Sequence, residues 1–228
     1  MSHPEIASVH HEPRWHAALA VVASAALQLF LPPRLSLGPV WVMPLIVLIM
    51  LVPLLILAPT RHAETDLQRG WSIALIAIVN LFNIASVLLL VFHILHPQAH
   101  ALSGTQLLVA GGQIWLSNVL VFALWFWEID GGGPEPRAHA RAERELLNVD
   151  FLFPQMSLSG TQARCADEFW KPLFLDYLYV AFTNALAFSP TDTMPLTRSA
   201  KMLMLLESSV SFVAIAVVVS RSINIIAS

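Results

Sequence analysis

Long apolar blocks separated by short polar connections run through this chain, and the blocks predict its elements. Trp15 to Leu31 is the first, stopped by Pro32-Pro33. Trp41 to Ala58 is the second, with Pro44 and Pro53 inside it; proline is tolerated in a membrane helix but kinks it. So few residues join these two that they predict a helical hairpin. Arg61, His62, Glu64, Asp66 and Arg69 then mark a charged connection. Trp71 to Leu95 is the third block, interrupted by Asn80 and Asn83, and Leu107 to Trp127 is the fourth, carrying Gln113 and Asn118. Leu173 to Phe188 is apolar but short, and Ala200 to Ile226 is long enough to span despite Glu207. A bilayer core of ~30 Å needs roughly 20 apolar residues of helix, so the fold class is an all-α integral membrane protein. Five or six transmembrane helices are expected, with the fifth apolar segment either spanning or re-entrant.

The organisation follows from the same pattern. Residues 1–14 read as a polar N-terminal tail, 15–127 as four transmembrane helices, 128–171 as a hydrophilic loop, and 172–228 as a short helix, a turn and the last transmembrane helix. Arg14 and the Ala23-Ser24-Ala25 site give the first block some character of a signal peptide. Its long polar leader with Glu5 and Glu12, and the apolar residues that continue past the site, favour a retained helix. Tryptophans at block ends (Trp15, Trp41, Trp71, Trp125, Trp127) fit the aromatic belts at headgroup level. Within the loop, Gly131-Gly132-Gly133-Pro134 is a breaker, Arg137 to Leu147 predicts a charged surface helix, and Phe151 to Pro154 an apolar return at the interface.

Composition sharpens the class. The chain is 57% hydrophobic and 12% charged, against about a quarter charged in a soluble domain. A net charge of −3 without basic runs points away from nucleic acid. Cys165 is the only cysteine, so there is no internal disulfide and no cysteine-built metal site. No nucleophile elbow, zinc-protease helix or phosphate loop occurs, and the Gly111-Gly112 and Gly131 to Gly133 runs lack a strand–helix setting. The expectation is no enzyme, no cofactor and no bound metal.

Two resemblances lie in the second half. Asp176-Tyr177-Leu178-Tyr179-Val180-Ala181-Phe182-Thr183, then Asp192-Thr193-Met194-Pro195, then Ala200-Lys201, Leu203, Leu206-Glu207, Ala216-Val217 and Arg221 resemble the pore helix, filter exit and inner helix of bacterial two-helix potassium channels. About a fifth of the chain is covered. Where such channels carry a glycine filter whose carbonyls replace the ion's hydration shell, this chain has Ala187-Phe188-Ser189-Pro190-Thr191, so potassium selectivity is not implied. The chain as a whole, through Phe153-Pro154, Asp176 to Thr183 and Ser189 to Asp192, also resembles a family of bacterial polytopic membrane proteins that implies no particular activity. Both resemblances imply the bacterial inner membrane.

Topology divides the two readings of the fifth segment. With the N-terminus inside and that segment, extended back to Glu168, spanning, Arg14, Arg61, Arg69, Arg137, Arg141, Arg144, Arg164, Lys171 and Arg221 lie inside, and only Arg34, Arg198 and Lys201 outside. A pore helix entering from outside needs the N-terminus outside, leaving only Arg34 and Arg221 inside. Lys and Arg gather in cytoplasmic loops, so the count favours six spans and the resemblance favours five plus a re-entrant helix.

Polar groups inside apolar blocks are the candidate site residues. Asn80 and Asn83 share a helix face; with Gln113 and Asn118 they read as pairing between helices, or as a polar path. Glu207 is the acidic residue within the last block, which is long enough to span. Intramembrane carboxyls are costly and often functional, though near its block's end it has Lys201 or water as ready partners. Asp192 reads as a mouth carboxyl or a helix cap. His93, His96 and His100 read as interfacial histidines without a ligand. The function expected is a channel-like protein passing a small cation or proton through an oligomeric pore, a tetramer if channel-like, lined by Asn184, Asp192, Glu207, Ser208 and Ser211. Ser211 aligns near the hinge glycine of the resembled inner helices. The alternative is a non-conducting membrane scaffold or partner subunit docking through 128–171. A secondary transporter lacks the internal repeat usual for that class.

Overall fold

A computed structural model describes residues 14–57, 66–96, 102–142, 148–157, 170–187 and 192–226. The chain is mostly helical. Helix α1 (Trp15–Leu29) and α2 (Val42–Leu57) form the expected hairpin, joined through a 3-10 turn at Pro33–Leu35. Helices α3 (Asp66–Leu95) and α4 (Gly104–Ile129) follow, then α5 (Pro134–Ala142), strand β1 (Phe151–Leu152), α6 (Phe174–Ala187), strand β2 (Met194–Pro195) and α7 (Arg198–Ile226). Three helices, α3, α4 and α7, are long and apolar enough to cross a membrane, while α1 and α2 are shorter apolar helices. The polar tail before Arg14, Arg61, His100 and Cys165 lie outside the described residues.

Local chemistry sets the boundaries. Helix α4 starts three residues before its apolar block because Ser103 and Gln106 form a reciprocal capping box: the Gln106 amide donates to Ser103 Oγ at 3.2 Å and the Ser103 amide to Gln106 Oε1 at 2.9 Å. Pro44 falls in the first turn of α2, where proline costs nothing, and Pro53 is the one inside it. At the far end of α4 the three glycines take φ of 58°, 84° and 109°, all in the region that favours glycine, and turn the chain into α5. Helix α7 is capped by Thr197, whose Oγ1 accepts from the Ala200 amide at 3.3 Å. Asp192 is exposed and stands well before that helix, so it is not the cap.

Helix α4 is the axis, in contact with α1, α3, α6 and α7. Its buried side chains run from Leu107 to Glu128. Around it the surface is apolar: Leu48, Ile56, Leu88, Leu175, Met202 and Leu205 are each 60% exposed or more. Trp15 and Trp41 are exposed as belt residues would be, but Trp127 turns into the core and meets Phe174 edge-on at 6.2 Å. Helices α4 and α7 pack tightly at Gly111, where an added Cβ would lie 2.0 Å from Val218 Cγ2.

Both α6 and α7 begin at the same end of the bundle. β1 pairs antiparallel with β2, Phe151 opposite Pro195, immediately before α7. The Phe151 amide donates to Asp130 Oδ1 at 3.1 Å, and so does Tyr177 Oη, in the first turn of α6, to Asp130 Oδ2 at 2.6 Å. Asn184, near the other end of α6, donates to Met204 O of α7 at 2.9 Å. The two helices therefore run side by side in the same direction, and the chain between them returns to the end it left.

Glycine at 111 is a packing requirement and glycine at 112 is not, since nothing lies within 4 Å of a Cβ there. Alanine gains the same helix propensity at either place. Gly111→Ala is expected to be about 1–3 kcal/mol less stable than Gly112→Ala, read by thermal unfolding in detergent. Equal stabilities would place the α4–α7 contact elsewhere.

Candidate functional site

Six of the polar residues singled out by sequence meet in one buried chain across four helices. Asn83 of α3 donates from Nδ2 to Asn118 Oδ1 of α4 at 3.0 Å. Asn118 Nδ2 donates on to Ser211 Oγ at 2.9 Å and to the Glu207 carbonyl at 3.3 Å, both on α7. Asn184 of α6 donates to Glu207 Oε2 at 2.7 Å, and Ser208 Oγ donates to the Asn184 carbonyl at 3.4 Å. Asn118, Glu207 and Ser211 have no exposed surface, and Asn83 and Asn184 are buried. Each helix supplies the group its spacing allows: Glu207, Ser208 and Ser211 lie within one turn of α7, on the side turned from lipid.

The carboxyl of Glu207 is the exception to an otherwise satisfied chain. Oε2 takes the Asn184 amide, and Oε1 has no hydrogen-bond partner. Lys201, its expected partner, is exposed and makes no contact with it. Among the described residues no ion pair reaches Glu207, and no cluster of three His, Cys, Asp or Glu side chains is assembled. One carboxyl facing one amide N–H donor offers a metal cation, which wants several oxygens, a poor set of ligands. Asn80 and Gln113 do not join the chain; Asn80 Oδ1 and Gln113 Oε1 are buried without partners. His93 and His96 pair with carbonyls of their own helix, Leu89 at 2.9 Å and Phe92 at 3.2 Å.

A second polar cluster, with no counterpart in the sequence expectations, lies at the end where α6 and α7 begin. Arg137, expected on a charged surface helix, is fully buried. Its Nη1 donates to the carbonyls of Trp127, at 2.8 Å, and Asp130, the last of α4, and its guanidinium lies 5.4 Å from the Tyr177 ring. The cation therefore caps α4 where free carbonyls and the helix dipole favour positive charge. Asp150 adds a third link: its Oδ2 accepts from the Gly131 amide at 3.2 Å and its Oδ1 from the Thr197 hydroxyl. Phe151 and Phe153, expected at the interface, pack on Tyr177 in the core. No run of charge or spacing distinguishes Arg137 from its neighbours in sequence; Tyr177 is marked by the Asp-Tyr-Leu-Tyr resemblance, but its partner is not.

No protein-family model, curated protein or solved structure matches this chain.

Arg137→Met keeps an unbranched apolar stem but removes the cation and both of its hydrogen bonds to the end of α4, leaving the Asp130 carbonyl with the Gly133 amide alone. It is expected to cost about 2–4 kcal/mol, and Tyr177→Phe, one hydrogen bond, about 1 kcal/mol. Chemical denaturation in detergent measures both. An Arg137→Met protein as stable as Tyr177→Phe would show that the cation does not hold the end of α4.

Proposed function

We propose that this protein is a multi-pass membrane protein with five transmembrane helices and a re-entrant α6, conducting protons past Glu207. The observation that carries it is the buried carboxyl with one oxygen unpartnered. Burying such a group in a membrane helix costs about 2.5–3.5 kcal/mol, while an interhelical hydrogen bond in lipid returns about 0.6 kcal/mol. Helix glue therefore accounts for the asparagines and not for Glu207. The path runs inside each protomer. The outward face of α7 carries Met202, Leu205, Leu206 and Phe212, all exposed and apolar, with one exposed hydroxyl, Ser209, turned back onto the Leu205 carbonyl. A pore between copies on that face would therefore be mostly apolar, whereas Glu207 and Ser211 face α4 and α6. This differs from the oligomeric pore expected from the potassium-channel resemblance.

Charge supports one orientation. Among the described residues Arg14, Arg69, Arg137, Lys171, Arg198 and Lys201 belong to the end where α6 and α7 begin, and Arg34 and Arg221 to the other. By the positive-inside rule that charged end is cytoplasmic. The α6 hairpin then enters from the cytoplasm, the reverse of a potassium channel's pore helix, and the conflict between charge and re-entry disappears.

Proton flux into liposomes containing the purified protein tests the reading. Glu207→Gln retains the hydrogen bond to Asn184 and is expected to lower flux roughly ten-fold or more, with folding intact. Unaltered flux would exclude Glu207 from the path. No flux from folded wild-type protein would leave a non-conducting scaffold as the better account.

A further inference from the structure

We infer that Glu207 exchanges its proton with the face opposite the charged end, through a polar lane that ends in a cavity beside Gln113. The inference rests on the reading of Glu207 as the proton site and adds the side from which it is reached. The Glu207 carboxyl itself bonds Asn184, while its backbone carbonyl accepts from Asn118, and from there polar side chains lead away from the charged end: Ser211 lies one turn further along α7, and Asn118 joins it to Asn83. Ser86 follows on the same face of α3, fully buried, and accepts from Gln28 Nε2 at 3.3 Å. Gln28 is in the last turn of α1, beside the turn from Phe30 to Arg34. That turn, with Thr105, Gln106 and Gln113 of α4, lines a cavity of about 570 Å³ at this end. Gln113 is also the next polar side chain along α4 from Asn118 in this direction beyond Ser117, and its Oε1 has no partner.

The opposite direction is apolar: the cavity on that side, which Arg14, Ser72 and Glu128 enter, is otherwise lined by Ala17, Val21, Leu75, Leu124 and similar apolar side chains. Between Asn118 and the charged end, α4 buries Val121, Phe122, Ala123, Leu124 and Phe126. On α6, Tyr177, Val180 and Ala181 are without exposed surface. Asn80, one turn toward the charged end on α3, is followed there by buried Val79, Ile76 and Leu75. The Asp130–Tyr177–Arg137 cluster and the Phe151, Phe153 and Trp127 rings then seal that end. Along this buried polar lane, which skirts the apolar cluster of Leu31, Val87, Leu90 and Ile114, the hydroxyls of Ser211 and Ser86 pass a proton, and the amides of Asn118, Asn83 and Gln28 orient the water that carries it between them.

Single cysteines test the lane in a Cys165→Ser protein reconstituted in one orientation. Thr105→Cys marks the cavity end and Ser199→Cys the charged end for a membrane-impermeant methanethiosulfonate. Ser86→Cys, and separately Gln113→Cys, are expected to label from the Thr105 side and not from the Ser199 side. Labelling Ser86→Cys is expected to cut the Glu207-dependent flux several-fold. Labelling of Ser86→Cys from the Ser199 side, or from neither side with flux unchanged, would overturn the inference. Failure of the Glu207 reading has a separate signature: the wild type and Glu207→Gln would carry equal flux whatever the cysteine pattern.

Discussion

The Asp130 carboxyl accepts hydrogen bonds from the amides of Asp150 and Phe151 and from the hydroxyl of Tyr177. These groups come from the connection after α5 and from the first turn of α6. Asp130 is itself the cap of α4. One side chain thus fixes the end of the central helix, the start of β1 and the start of α6 to a single point. Because β1 also pairs with β2, the start of α7 is drawn to the same point. The direction of α6 relative to α7 follows from this knot: with their first turns tied together, the two helices must descend in parallel. Asn184 is then brought level with Glu207, and the candidate site exists only because of that parallel descent.

A low-dielectric interior makes both polar clusters consequential, in opposite ways. In the first, the Asp130 carboxyl has its three donors, and the buried guanidinium of Arg137 meets helix-end carbonyls and an aromatic face, so burial strengthens what holds them. In the Glu207 chain the amides and hydroxyls are mated but one carboxyl oxygen is not. An unsatisfied buried acceptor costs about 1–3 kcal/mol. Replacing the glutamate by an apolar residue would remove that cost, which is the physical reason to seek its use in function rather than in stability.

The helices are legible in the sequence because the apolar blocks are long and uninterrupted, and the observed ends differ from the blocks by a few residues where caps intervene, as at Ser103 and Thr197. The membership of the Glu207 chain is legible too, since polar residues in apolar blocks have few reasons to be there: Asn83, Asn118, Asn184, Glu207, Ser208 and Ser211 all meet. What the pattern does not give is the partner. Lys201 is close to Glu207 in sequence and faces outward, whereas Asn184 comes from another helix through a contact that only the Asp130 knot creates. Arg137 is illegible for a related reason. Arginine in a charged stretch looks solvated, and nothing local signals that the α4 carbonyls will close over it. Glu207 and Arg137 carry the same lesson: local sequence marks which groups are expensive to bury, and long-range geometry decides which of them are buried.

The parallel course of α6 and α7 also bears on the resemblance to potassium channels. In those modules the return strand builds the filter, and its glycines let the carbonyls face a shared axis. Here the corresponding stretch has proline and no glycine, and the use of the hairpin is of another kind. It delivers an amide, Asn184, to a carboxyl, Glu207, inside one chain. A carbonyl filter needs four copies around an axis, because one copy presents too few oxygens to replace a hydration shell. A proton needs no shell and is held by one carboxyl. Under the proposed function, a chain without a glycine filter has no reason to form an axial pore, and the Asn184–Glu207 pair is complete within one chain.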